Sequence, residues 1–160
     1  MIGQFRINLY DAQNGSLTSQ IIPNTVTNPG RFHIWDRLIG RPFVSGITTT
    51  NAYIAVGTGS ATNTIWDSGL TTELDRNLLT AVSRTDQSVA STTQFATDEA
   101  NGNITETGLF IRGYDSGGTL ITPGGSQLIS GGGIMFAKAV FNAQAKNTSN
   151  RMSIDYEVIM

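Results

Sequence analysis

The sequence predicts an all-β chain: a single-domain antiparallel β-sandwich, jelly-roll-like, over residues 1–160, with one short helix near residues 29–40. Three observations predict it. Short segments of alternating polar and apolar residues recur along the chain. Gly, Asn and Asp cluster between them. Only one stretch carries apolar residues at helical spacing.

Taken in order, FRINLY (5–10) sets Phe5, Ile7 and Leu9 against Arg6, Asn8 and Tyr10. DAQNGS (11–16) is a turn, and Asn14-Gly15 suits positive φ. LTSQII (17–22) returns, so residues 5–22 read as a hairpin that could stand out as an arm. Pro29–Gly40 is the helix: Asn28 can cap it, Pro29 suits its first turn and Gly40 its stop. Phe32, Trp35 and Leu38/Ile39 share one face, which is expected to pack over the sheet. AYIAVGTG (52–59) is a buried-type strand ending in two glycines. LTTEL (70–74) suggests one helical turn. NLLTAVSRT (77–85), VASTTQFAT (89–97) and TETGLFIRGYD (105–115) read as strands. IMFAKAVFNA (134–143) sets Met135 and Ala137 against Phe136 and Lys138. RMSIDYEVI (151–159) puts Met152, Ile154, Tyr156 and Val158 on one face. The glycine-rich segment 116–133 is expected to be a flexible loop.

The chain has 160 residues, which suits one domain with a sizeable core. Net charge is −2 and charged residues make up 14%, below the usual ~25%. A basic stripe of the kind that binds nucleic acid is missing. No apolar run approaches ~18 residues, so no membrane span is expected. The N-terminus MIGQFRINLYD lacks a basic region followed by an apolar stretch, so no secretory signal is expected. With no Cys there is no disulfide, thiolate zinc site or Cys nucleophile. No cofactor is expected. Eight of the ten basic residues are Arg, a residue suited to packed, bidentate pairing, which hints at partners.

Five features could carry chemistry. In DEANGNITETGLF, Glu99 and Glu106 flank Asn101-Gly102. Paired carboxylates can do glycoside chemistry, but that needs a cleft and aromatic platforms that the neighbourhood does not offer. The spacing does not fit a calcium loop either. The favoured reading is a hairpin turn between a strand ending near Thr97 and one starting near Thr105. VGTGSA (56–61), with Gly57 and Gly59, follows a strand but lacks the third glycine and the helix of a dinucleotide site, so it reads as a tight turn. His33 is the only histidine, which leaves no His-based metal cluster, and it reads as a helix-surface or half-buried residue. Glu73 and Arg76 in TTELDR are an i, i+3 pair, either an interface anchor or an exposed salt bridge worth ~0–1 kcal/mol. Trp66 lies in the polar loop TNTIWDSG. Exposed, it would mark a partner or sugar surface; the favoured reading of Trp66, and more strongly of Trp35, is packing onto the core.

The ordered series NTVTNPGR, YIAVGTGSA, LTTELDR, DEANGNITETGLF, IMFAKAVF and RMSIDYEV resembles a group of small virion structural proteins of tailed bacteriophages, described variously as capsid-decorating, neck or tail-fibre-associated. The matching positions are Asn28, Gly30, Arg31, Gly57, Gly59, Glu73, Leu74, Arg76, Glu99, Asn101, Gly102, Glu106, Gly108, Leu109, Phe110, Phe136, Ala137 and Phe141. The resemblance implies structural and interface roles and no catalytic ones. It implies a non-enzymatic particle protein, made in the bacterial host cytoplasm, with the capsid surface favoured over the neck or tail. A homotrimer binding the lattice of the major capsid protein is expected, by the 5–22 hairpin or the 116–133 loop. A host-surface or glycan-binding module, using Trp66 and Tyr114, is the further alternative.

Overall fold

The computed structural model describes residues 2–41, 46–112 and 133–159. Among these, ten strands and one helix follow in the order β1 (Ile2–Asp11), β2 (Leu17–Pro23), β3 (Thr25–Val26), α1 (Asn28–Leu38), β4 (Ala52–Gly57), β5 (Glu73–Leu78), β6 (Ala81–Arg84), β7 (Ser88–Phe95), β8 (Gly102–Ile111), β9 (Ile134–Lys146) and β10 (Asn150–Ile159). The expected all-β sandwich is formed. The first sheet has the order β2-β1-β10-β7-β6 and the second β3-β9-β8-β4-β5, antiparallel throughout. Five strands in each sheet exceed the eight of a plain jelly roll.

The core lies between the sheets, because period-two alternation sends every second side chain inward. Phe5, Ile7 and Leu9 of β1 and Met152, Ile154, Tyr156 and Val158 of β10 face Ile54 and Val56 of β4 and Leu109 and Ile111 of β8. The 5–22 hairpin forms as expected, with Gly15 at φ +70° and the Asp11 carboxylate accepting from the Gln13 and Asn14 N–H groups. It is no free arm: β1 sits between β2 and β10.

Three expectations about the strands are corrected. Residues 77–85 are two strands, not one. Leu79 N–H still bonds Ala52 in the second sheet, while Thr80 N–H bonds Thr92 in the first. The chain changes sheets there. Residues 70–74 form no helical turn; β5 begins at Glu73. In β9 the ladder slips so that Leu109 opposes Ala137 and Phe110 opposes Met135, leaving Phe136 as an extra residue. That bulge reverses the expected faces: Phe136 and Ala137 both join the main core, while Met135 packs on the other face.

The helix lies on β9, docked at this bulge. Its N-cap is Thr27 rather than Asn28. The Thr27 hydroxyl accepts from Gly30 N–H at 3.2 Å and donates to the Met135 carbonyl at 2.5 Å. A Cβ at Gly30 would sit 2.8 Å from the Phe136 Cα, so only glycine lets the helix come this close. Gly30 and His33 are therefore the buried residues of α1. The expected packing face points outward instead: Phe32 is 49% exposed, Trp35 57%, Leu38 77% and Ile39 72%.

Gly30→Ala should lower stability by about 1–3 kcal/mol through overpacking, read as a shifted urea midpoint. Gly46→Ala, where an added Cβ meets nothing, should stay within ~0.5 kcal/mol. The Tyr156 phenol is buried, and burial pushes its pKa well above the ordinary 10 against the opposing hydrogen bond from Asn24. Above pH 10 the unfolded chain loses this proton and the folded chain keeps it, so stability must fall as pH rises. Between pH 9 and 11, Tyr156→Phe should show a shallower loss than the unaltered protein. Equal slopes would sink this account.

Candidate functional site

The second sheet is covered on its outer face as well. Every residue of β4 is buried. Tyr53 and Ala55 point away from the main core, where Phe110, Met135 and Leu70 form a small apolar cluster with Ala55. Leu70 belongs to the segment 58–72 between β4 and β5, which is held down on this face by an ionic knot.

At the centre is Glu106 of β8, fully buried. Its Oε1 accepts from Gly59 N–H at 3.0 Å and Thr72 N–H at 2.7 Å, and its Oε2 from Thr71 N–H at 2.9 Å. The ammonium of Lys138 lies 3.5 Å from Oε2 and 3.2 Å from Asp67 Oδ2. Burial would raise the pKa of Asp67, but hydrogen bonds from Thr64 and the approach of Lys138 outweigh it and hold the carboxyl below its usual value. One buried carboxylate thus supplies acceptors for both ends of the segment, and one ammonium ties its middle to β9. Gly57 and Gly59 make room for this. A Cβ at Gly57 would lie 2.7 Å from Glu106 Oε1, and one at Gly59 would lie 2.5 Å from the Thr71 Cβ. Gly108 lies on the same face, where a Cβ would press on Leu70 and the Phe110 ring. VGTGSA is therefore a close-approach turn around a carboxylate rather than around a phosphate.

Beside the knot lies a second buried ion pair. Arg76 donates from Nε to Glu73 Oε1 at 2.5 Å and from Nη2 to Oε2 at 2.6 Å, with the guanidinium 4.6 Å over the Phe110 ring. Both side chains are almost wholly buried, which overturns the exposed-bridge reading. In a regular strand, residues three apart face opposite ways. Here Val56 opposes Asp75 and Gly57 opposes Glu73, so Leu74 is the extra residue of a bulge and the pair shares one face.

Asn101-Gly102 is not a hairpin turn. β7 belongs to the first sheet and β8 to the second, so residues 96–101 are a crossover between sheets. Ala100, at φ +51°, takes the left-handed conformation expected of Asn or Gly. Lys146 organises the crossover by donating to Ala96 O at 2.7 Å and Asn101 Oδ1 at 3.2 Å. Burial lowers the Lys146 pKa, partly offset by Glu99, Asp98 and Asp75. Glu99 Oε2 accepts from Ala96 N–H and from Asn77 Nδ2, both at 2.8 Å. Glu99 and Glu106 thus serve separate networks and do not form one acid/base site. No sequence signal distinguished Lys138 and Lys146, the two residues on which these networks turn; their being the only lysines was the available clue.

Trp66 is 73% exposed and Ile65 is exposed beside it, against the core-packing expectation for Trp66. The Ile65 carbonyl accepts from Asn28 N–H at 2.6 Å, which puts this tip next to the first turn of α1. His33 is buried and lines an apolar cavity of about 230 Å³ with Ile34, Ile47, Ile111, Phe136 and Val158. On the outer face of the first sheet a broad groove is lined by Tyr10, Gln94, Arg151 and Asp155, among others. Much of that face is engaged in its own network: Asp155 accepts from Asn8 and Thr92, and Asn8 also contacts Ser153 and Ser19. Among the described residues no cluster of three or more His, Asp or Glu could hold a metal ion, and no helix is long and apolar enough to cross a membrane. Tyr114 and the 116–133 loop, apart from Gly133, lie outside the described residues.

No family model matches the chain, and no curated protein matches it.

Glu106→Gln should cost about 3–5 kcal/mol, the penalty for breaking a buried ion pair, with Gly59→Ala destabilising as well. Glu99→Gln, at the rim of a different network, should cost ~1 kcal/mol. Equal effects of the two Gln variants in chemical denaturation would contradict the knot. The depressed Asp67 pKa adds stability that is present above pH ~4 and is lost as pH falls through the folded value. Asp67→Asn should therefore flatten the acid limb of the stability curve.

Proposed function

We propose that the protein is a non-enzymatic structural subunit of a tailed-phage particle: a homotrimeric capsid decoration protein that stabilises the mature shell. The observation that carries this reading is Trp66. A large aromatic residue stands in solvent at the tip of a segment whose two ends and middle are fixed by buried charges. Keeping a Trp in water has no benefit to the monomer, whereas a rigid, preorganised aromatic is what a central contact in an interface requires. The resemblance of the ordered sequence motifs to a group of phage virion proteins supports the same class. Ile65 and Trp66 are the contact with the shell, joined by the exposed 12–16 turn of the β1–β2 hairpin. Binding only the assembled lattice stabilises it by mass action.

Purified protein added to expanded capsids lacking it should give regular density over the shell by cryo-electron microscopy. Trp66→Ser should keep the fold, since the side chain is exposed, and should weaken binding at least tenfold in a capsid co-sedimentation assay. Density confined to one vertex would move the protein to the neck or tail. Binding to no part of the particle would end the reading.

A further inference from the structure

Surface helices of globular domains turn their apolar stripe to the core and their polar side to water. In α1 only Ile34 packs inward on the core, with Leu38 at the edge of the cavity that His33 lines, and most of the helix's large apolar side chains face water. The side against β9 carries Gly30 and His33, and the outward side carries Phe32, Trp35, Leu38 and Ile39. Phe32 and Trp35 stack against each other with ring centroids 5.6 Å apart, so the stripe is continuous over its first turn. An eleven-residue helix has little intrinsic stability, and this one is held on its inner side by the Thr27 cap and the close approach of Gly30 to Phe136. Among the described residues nothing covers its outward side.

We infer that the outward stripe of α1 is the contact between copies of this chain, with the same helix from neighbouring subunits packed around a common axis. Two observations select a second copy as the occupant. The first is spacing. Phe32 and Trp35 lie three apart on α1 and Ile39 caps its end four residues on, the three-then-four spacing with which one end of a helix can meet an identical helix. Such a stripe is complementary to itself, because knobs and holes come from the same residues. The second is area. At their observed exposures the four side chains offer roughly 500 Å² of apolar surface, taking ~150–250 Å² for each aromatic residue. That lies at the upper end for a patch on a monomer, and it supplies the larger part of the ~800 Å² that each partner contributes to a stable interface. The Asp36–Arg41 ion pair at 3.2 Å gives the helix a charged flank of the kind found at an interface rim.

This inference deepens the reading of the chain as a self-assembling particle subunit, and it assigns the self-contact to α1 while the shell contact stays with Trp66. Sedimentation equilibrium of the full-length protein should show an oligomer. Trp35→Glu should raise the dissociation constant at least 100-fold, with the urea midpoint little changed. Ile21→Glu, an equally exposed apolar position on β2, should leave assembly intact. Because the chain has no cysteine, Ile39→Cys introduces a single thiol. Oxidation should link two subunits through it. A protein that is monomeric at 100 μM, or an oligomer that survives Trp35→Glu and forms no Ile39→Cys dimer, overturns the inference. If a monomer still decorates capsids and loses that ability with Trp35→Glu, the stripe faces the shell, so the inference and the trimer fail while capsid decoration stands. If the oligomer behaves as expected but never binds capsids, the proposed function fails and the inference stands.

Discussion

The outer face of the second sheet is organised by one fully buried carboxylate. A carboxylate out of water is costly unless its oxygens are met by donors. Glu106 meets three backbone N–H groups and an ammonium, and all the backbone donors come from one connecting segment. Each donor in turn has an acceptor that a loop could not otherwise find in this position. The carboxylate therefore needs the segment and the segment needs the carboxylate. Removing either leaves the other with unpaired polar groups in an apolar setting. The glycines at 57 and 59 follow from the same requirement, since backbone, side chain and carboxylate approach where a Cβ would stand.

Charge is spent sparingly elsewhere in the chain and concentrated here. Glu73, Arg76, Glu106 and Lys138 are all buried or nearly so on a single sheet face, in a protein with few charged residues. The Arg76 guanidinium lies over the Phe110 ring, so the ionic and apolar parts of this second core interlock. The result is a sheet with two buried faces. One is a conventional apolar interior and the other a charged interior under a strap. The first sheet differs: its outer face is a solvated lattice of Asn, Ser, Thr and Asp side chains bonded to one another.

Much of this was legible in the sequence where local pattern determines local structure. The alternation of Phe5, Ile7 and Leu9, and of Met152 to Val158, marks inward positions because period two is a property of the strand itself. The pairing of a strand is not local, and there the sequence misled. Asn101-Gly102 has the chemistry of a hairpin turn, yet the strands on either side join different sheets. The bulges at Leu74 and Phe136 each insert one residue and so reverse the expected face beyond it, with no residue type announcing them. For α1 the helix and its apolar stripe were legible but the direction of the stripe was not, because a row of apolar residues fixes which side chains share a face and not which way that face is turned. Glu73, Arg76, Glu106 and the glycines stood out in the sequence, and in the structure they lie at the buried ion pairs and the close approaches. Their role was hidden because the partners Lys138, Thr71 and Thr72 come from distant segments.

The pairing of β1 with β10 joins residues about 150 positions apart, from Ile2 opposite Ile159 to Asp11 opposite Asn150. β1 can form its hairpin with β2 early, since that loop is short. The first sheet cannot be completed until β10 arrives between β1 and β7, and loop closure over such a separation is slow. During synthesis the edges of β1 and β7 that will flank β10 must wait until β10, which follows both in the chain, has been made. Such a chain gains its full cooperativity in one late step. Order of synthesis then imposes a delay between translation and the folded state, and the supply of finished protein is set by the closing of this seam as well as by the ribosome.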